Sequence, residues 1–238
     1  MKAKLFFDLE TRSNPENTPL MPAPIIEAPA NYKDPQKIAE YIMEKQQTEL
    51  AKAMERAALD PDYGRILSIG YALGPDEPVT VHVVGDVWFA EYTVQADVDG
   101  VLMEYAYSEE DIIKGFWKLF SECGGQAVGY NILGFDLPYL LRRSMALGIR
   151  VPYMPQLAKF RTEPVTDLMM ILYNWGSDRY KGLKQVAKLY RIPNEVPDLD
   201  GSKVAEMDLE TLVEYQTSDV KMVQALYQKM NGIYFSHY

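Results

Sequence analysis

Two apolar residues, Phe6 and Phe7, run straight into Asp8-Leu9-Glu10-Thr11, the pattern of a buried strand whose far end turns acidic. Strand side chains alternate faces, so Asp8 and Glu10 point the same way, as half of a divalent-metal site would. Taken alone, the same spacing more often describes an ordinary strand end with two solvated acids. A run from Asn14 to Asn31 follows, with Pro15, Pro19, Pro22, Pro24 and Pro29, which excludes helix and central strand and predicts an extended surface segment. Asp34-Pro35 then reads as a helix N-cap with proline at the first helical position. The helix carries Ile38, Ile42, Leu50, Met54 and Ala58 until Asp60-Pro61 stops it. That apolar stripe is too thin to fold alone, so residues 13–63 are expected to be an insertion packed over the core.

Residues 65–73 form the next apolar run, ended by Gly74-Pro75, with 79–84 as its hairpin partner. Residues 86–107 mix aromatics with acids and predict one or two edge strands as a second insertion. Ser108 and Asp111 give a capping signal for a helix whose apolar face is Ile112, Ile113, Phe116, Trp117, Leu119 and Phe120, closed by Gly124-Gly125. A short buried strand, 127–130, then feeds a helix through a glycine-containing turn, which puts Asp136 at the helix N-terminus as a cap. The Pro164-Val165-Thr166 strand leads to Asp167, either near a metal site or simply opening a helix over 168–175. Near the C-terminus, Asp208 caps a helix carrying Leu209, Leu212, Val213, Val220, Val223 and Leu226. Tyr215 and Asp219 stand there at i and i+4, on one face. Antiparallel strands followed by alternating helices and strands predict an α/β layered fold.

Composition narrows the class without naming a function. The 238 residues are 47% hydrophobic and 24% charged, as expected of one soluble domain spanning 1–238. Cys123 is the single cysteine, which excludes an internal disulfide framework or a multi-thiolate zinc site and fits a reducing cytoplasm. Lys2 and Lys4 before Leu5-Phe6-Phe7 imitate the start of a signal peptide, but Asp8 ends the apolar run too early. No stretch approaches the roughly 20 apolar residues that span a bilayer, so no membrane partner is expected. A net charge of −10 argues against a polyanionic partner. Its distribution softens that objection, because Arg142, Arg143, Arg150, Lys159, Arg161, Arg179, Lys181, Lys184, Lys188 and Arg191 concentrate in one segment and could form a basic wall.

Three motifs together change the reading. Asp8-Leu9-Glu10-Thr11, then Tyr130-Asn131 with Phe135-Asp136-Leu137-Pro138-Tyr139-Leu140, then Tyr215-Gln216-Thr217-Ser218-Asp219 occur in order on a strand, a strand-to-helix turn and a helix. In this the chain resembles the 3′–5′ exonucleases of the DEDD superfamily, especially the proofreading exonuclease domains of family B DNA polymerases. The resemblance implies a ribonuclease H-like mixed sheet flanked by helices, with antiparallel first strands and a Pro-rich plus helical insertion after the first strand. The third motif carries tyrosine, so the tyrosine subtype is implied. His82 and His237 precede no suitable aspartate and are expected to be structural or incidental.

Four converging carboxylates need cations, since two like charges 4 Å apart repel by about 4 kcal/mol at an effective dielectric of 20. Oxygen ligands suit two divalent ions, Mg²⁺ or Mn²⁺. The resemblance places Asp8 between the ions, with Glu10 and Asp219 on the ion that activates water. Asp136, directly or through water, would hold the ion at the leaving 3′-oxygen, and Tyr215 would orient the nucleophilic water. Leu9, Thr11, Asn131 and Phe135 would contact the terminal nucleotides, with Arg142 and Lys181 as candidate phosphate contacts. The expected activity is a stand-alone 3′–5′ exonuclease on single-stranded or frayed DNA ends, any proofreading requiring a separate polymerase or repair protein. An RNA-trimming exonuclease and a catalytically silent nucleic-acid-binding module are the alternatives.

Overall fold

The computed structural model describes residues 3–85, 95–98, 101–106, 108–196, 199 and 201–235. Strand β1 (Leu5–Ser13) enters two hydrophobic cores at once, because its alternating side chains are covered on both faces. Phe6 joins one core, meeting Tyr227 edge-on at 5.2 Å between ring centroids. Leu5, Phe7 and Leu9 join the other, where Phe7 lies 4.8 Å from Phe116. The parity that buries Phe6 therefore sends Asp8 and Glu10 to the Tyr227 side of the sheet.

The chain divides into two compact units, one of Met1–Glu10 with Ile66–Tyr238 and one of Thr11–Arg65. Within the second, the Asp34 carboxylate accepts from the Gln36 N–H at 2.9 Å and starts helix α1 (Pro35–Ala57) as the capping signal predicts. The Pro-rich run is irregular apart from a 3₁₀ turn at Thr18–Leu20, with Pro19 in its first turn. The Asn14 N–H donates to the Tyr63 carbonyl and the Asn17 side chain to the Asp62 carbonyl, both at 2.8 Å, tying the two ends of this unit. Leu50 and Met54 of the expected apolar stripe are 43% and 50% exposed.

The larger unit continues with β2 (Gly64–Ala72) and its antiparallel partner β3 (Thr80–Val84), the hairpin read from the sequence. Residues 86–107 supply two strands, β4 (Gln95–Val98) and β5 (Val101–Ala106). They pair antiparallel with each other, while β5 runs parallel to β3 and β4 forms the edge. Positions 86–94, 99–100 and 107 of that stretch lie outside the described residues, as does His237. Helix α2 (Glu109–Glu122) is capped by Ser108, which accepts from the Asp111 N–H. Strand β6 (Ala127–Gly129), helix α3 (Asp136–Ala146), strand β7 (Val165–Asp167), helix α4 (Leu168–Leu172), helix α5 (Leu183–Tyr190) and helix α6 (Leu209–Met230) complete the order.

The seven strands lie in the order β4-β5-β3-β2-β1-β6-β7, with β1, β6 and β7 mutually parallel. This is the mixed, helix-flanked sheet expected. Three neighbouring parallel strands bring their carboxyl ends to one edge, where open α/β sheets bind ligands. Among the described residues, no helix is long and apolar enough to cross a membrane.

Three local expectations are corrected. Asp136 is not the cap of α3: it is the first helical residue, Phe135 occupies the cap position, and the carboxylate is drawn away to β1. The helix expected over 168–175 stops at Leu172, because Asn174 and Trp175 adopt left-handed backbone (φ 47° and 56°) and leave only a 3₁₀ turn. Arg143 cannot contribute to a basic wall, since it is buried and paired with Glu109 through two 2.8 Å hydrogen bonds. Glu109 also accepts from the Ile66 N–H at 2.8 Å, so this pair joins β2, α2 and α3 beneath the second core. Glu109→Ala would leave a buried guanidinium without its partner and is expected to cost about 3–5 kcal/mol in chemical denaturation. A loss under about 1 kcal/mol would show the pair to be dispensable.

Candidate active site

Alternation along β1 and helical spacing along α6 meet at the carboxyl edge of the sheet. Asp8 and Glu10 project from one face of β1, and Asp219 projects toward them from α6. One carboxylate oxygen from each lies within 4.8 Å of the other two. Asp136 approaches from the start of α3, its Oδ1 accepting the Leu9 N–H at 3.1 Å. Residues remote in sequence thus converge, and Leu9 joins them by its backbone, for its side chain is 5% exposed inside the second core.

The approach of α6 is set by uncharged contacts. Gln216 is fully buried and its Nε2 donates to the Asp8 carbonyl at 3.0 Å and the Ser68 carbonyl at 3.4 Å. Gly70 on β2 makes room for it: a Cβ there would stand 2.7 Å from Gln216 Cγ. At the β6 end, Asp167 is buried with four backbone N–H donors, from Asn131, Leu133, Met169 and Met170. It fixes the turn before Asp136 and starts α4, and its charge also raises Asp136, so it opens the helix close beside the site.

Burial dominates the electrostatics. It raises Asp8 well above the usual carboxylate range, and Asp136, Glu10 and Asp219 add to the rise. Glu10 is likewise raised, by burial, then by Asp219 and Asp136, with Lys184 opposing. Burial pushes Asp136 to about 7, against the opposing hydrogen bonds of its own N–H and that of Leu9. Asp219 is pushed to about 6, again by burial, with Lys184 and a hydrogen bond from Tyr215 opposing. The Tyr215 hydroxyl is pushed up by burial and by the Asp219, Glu10 and Asp8 carboxylates, so it remains protonated and donates.

The donor set fits hard divalent cations. Asp219 Oδ1 is buried without a hydrogen-bond partner, and it belongs to a three-carboxylate group with no sulfur or imidazole. A cation would satisfy that orphaned oxygen and remove the mutual repulsion at once. Asp136 lies beside this group rather than within it.

The remaining expected site residues occupy varied places. Thr11 follows Glu10 on β1 and is partly exposed. Asn131 sits in the turn after β6 on left-handed backbone (φ 68°), its N–H bound by Asp167 at 3.0 Å. Phe135 is partly buried, 5.3 Å from the Tyr139 ring. Arg142 is exposed on α3. Lys181 lies with Nζ 4.9 Å from the Tyr173 ring centroid, and its carbonyl accepts from the Tyr130 hydroxyl. His82 pairs with the Tyr71 hydroxyl at 3.3 Å, away from the carboxylates.

Lys184 and Gly201, like Gln216 and Gly70, meet the site through contacts that the sequence does not signal. Lys184 places Nζ 4.5 Å from the Tyr215 ring centroid and donates to the Leu199 carbonyl. It had counted only as part of a basic segment; its one signal is its position beside the buried Val186-Ala187 stripe of α5. Gly201 lies against the tyrosine hydroxyl, which would be 2.7 Å from a Cβ at that position.

A family model of predicted 3′–5′ exonucleases related to the exonuclease domain of PolB, the family B DNA polymerase, matches residues 77–234. The chain belongs to this family. Among solved structures, it is similar to the family B DNA polymerase from the hyperthermophilic archaeon Pyrobaculum calidifontis, with a TM-score of 0.57 and 20% identity. That alignment covers 97% of this chain and 24% of the polymerase chain, and the shared fold is the ribonuclease H-like one. No curated protein matches the chain.

Two outcomes are expected of the exonuclease-family site. Carboxylates whose folded pKa is raised bind more protons folded than unfolded, so their stabilising contribution is complete below about pH 4 and is lost as pH rises through about 6 to 7. Without divalent ions the melting temperature should therefore drop across that window relative to an Asp136→Asn, Asp219→Asn protein, and Mg²⁺ or Mn²⁺ should restore it; parallel pH profiles would contradict the burial of these charges. Gly201→Ala should displace the Tyr215 hydroxyl and lower turnover at least tenfold, with a melting temperature within a few degrees of the parent. Unchanged turnover would show that the hydroxyl needs no fixed position.

Proposed function

We propose that this chain is a divalent-metal-dependent 3′–5′ exonuclease that releases nucleotides from single-stranded or frayed DNA ends. The observation that carries the reading is the convergence of Asp8, Glu10 and Asp219 around the orphaned Asp219 oxygen, with Asp136 and Tyr215 alongside. Membership of the exonuclease family supports the reaction class.

Asp8, Glu10 and Asp219 would hold one ion and Asp8 with Asp136 a second. The chemistry such ions supply is activation of water as a nucleophile and neutralisation of charge on the leaving 3′-oxygen. Tyr215 acts as a hydrogen-bond donor that orients the attacking water, because its hydroxyl keeps its proton at neutral pH. The Lys184 ammonium over its ring limits the negative potential at Asp219 and Glu10 without entering the carboxylate group. Asn131 and Phe135 flank the turn into Asp136 and would meet the sugar or base of the terminal nucleotides.

A panel of 3′- and 5′-labelled DNA and RNA oligonucleotides, single-stranded and duplex, tests the reading. Asp219→Ala should reduce release of 3′ nucleotides at least 10³-fold, as should chelator, and DNA should be preferred to RNA of the same sequence. Full activity in Asp219→Ala, or activity indifferent to chelator, would refute it; faster RNA trimming would redirect the substrate assignment.

A further inference from the structure

Two cation–aromatic–cation triplets, Lys159-Phe160-Arg161 and Arg179-Tyr180-Lys181, lie in the connections on either side of β7 and α4. Phe160 is 72% exposed, yet its ring does not stand alone: it lies 5.4 Å from the Trp175 ring, tilted by 53°. Both residues sit on left-handed backbone, φ 63° and 56°, which bulky L-residues rarely adopt. Local strain of this kind persists where the rings' positions are useful. Lys159 and Arg161, which flank Phe160 in the chain, and Arg179, four residues after Trp175, are exposed. The acids nearby in sequence are Asp178, which is exposed, and Glu163, which is 3.5 Å from Lys4.

A continuous series of contacts joins this surface to the carboxylates. The Tyr180 hydroxyl donates to Met170 Sδ at 3.1 Å and approaches Gly176, the residue after Trp175. Met170 Cε borders Gly134 in the turn that carries Asn131, and the Met170 and Asn131 N–H groups share Asp167. That turn leads directly into Asp136.

From this placement we infer that Phe160 and Trp175 form a stacking platform for unpaired bases of a single-stranded nucleic acid, several nucleotides from the end held at Asp136. Lys159, Arg161 and Arg179 meet its phosphates. Aromatic rings interleaved with cations are what sequence-tolerant single-strand binding requires, since every base offers a π-face and every linkage a charge. The overall charge of −10 then ceases to be an obstacle, because the cations stand along the path of the strand. This inference rests on the nuclease reading, but binding can be measured without cleavage.

The test uses the full chain, chelator and a fluorescent oligothymidylate of about 12 nucleotides, a length within ordinary single-strand site sizes. Phe160→Gly and Trp175→Gly remove each ring while relaxing its backbone, so both should fold with unchanged circular dichroism. Each should weaken binding about tenfold, and Trp175→Phe should recover most of the loss. Lys159→Ala and Arg179→Ala should flatten the salt dependence of binding. With metal present, hydrolysis of a dinucleotide, too short to reach the rings, should be unaffected in the glycine variants while KM for the long strand rises. Parental affinity in both glycine variants overturns the platform and leaves the nuclease reading intact. Ring-dependent binding with no release of nucleotides from any substrate supports the platform and refutes the nuclease reading.

Discussion

The burial of like charges constrains this fold: Asp8, Glu10, Asp136 and Asp219 converge where desolvation makes each harder to ionise, and for Asp8 and Glu10 the neighbouring carboxylates add to it. At an effective dielectric of 20, each close pair of charges opposes assembly by about 4 kcal/mol. The protein must therefore hold the group by forces that do not depend on charge. Two hydrophobic cores grip β1 from both faces, and Gln216 adds a neutral hydrogen-bonded tie from α6 to the strand between the two acids. Where an N–H reaches a site carboxylate, as Leu9 does Asp136, it also eases the ionisation that metal binding needs.

The surrounding ionic groups divide by burial. Glu109 and Arg143 satisfy each other inside the second core and are insulated from the site. Lys184 stands over the Tyr215 ring, close enough to moderate the potential at Glu10 and Asp219 while its Nζ is occupied by a carbonyl and an aromatic face. A lysine so engaged softens the repulsion without competing for the oxygens a cation would take.

Much of this was legible in the chain, for definite reasons. Asp8 with Glu10, and Tyr215 with Asp219, are local pairs whose shared face follows from strand and helix periodicity. Phe6 in the same alternation even fixes which side of the sheet they occupy. The caps at Ser108, Asp34 and Asp208 and the 64–84 hairpin follow from turn chemistry equally local. Gln216, Gly70, Gly201 and Lys184 carry no such signal, because each matters only through an element distant in sequence. The helix expected to reach Trp175 failed where two left-handed residues override a favourable apolar pattern. Leu9, grouped with the substrate contacts by its motif, has a buried side chain because parity along β1 outranks adjacency.

The same parity has a consequence for how this strand can vary. From Phe6 to Glu10, odd and even positions belong to different environments, so inserting or deleting one residue there would turn acids into a hydrocarbon core and phenyl rings toward the carboxylate cluster. Substitution by a similar residue remains open to this segment, whereas a change in length does not. Past the end of β1 at Ser13 that restriction ends, and the chain accommodates fifty residues before β2 begins at Gly64. One strand thus joins a stretch whose length is fixed by two cores to a connection whose length no core dictates.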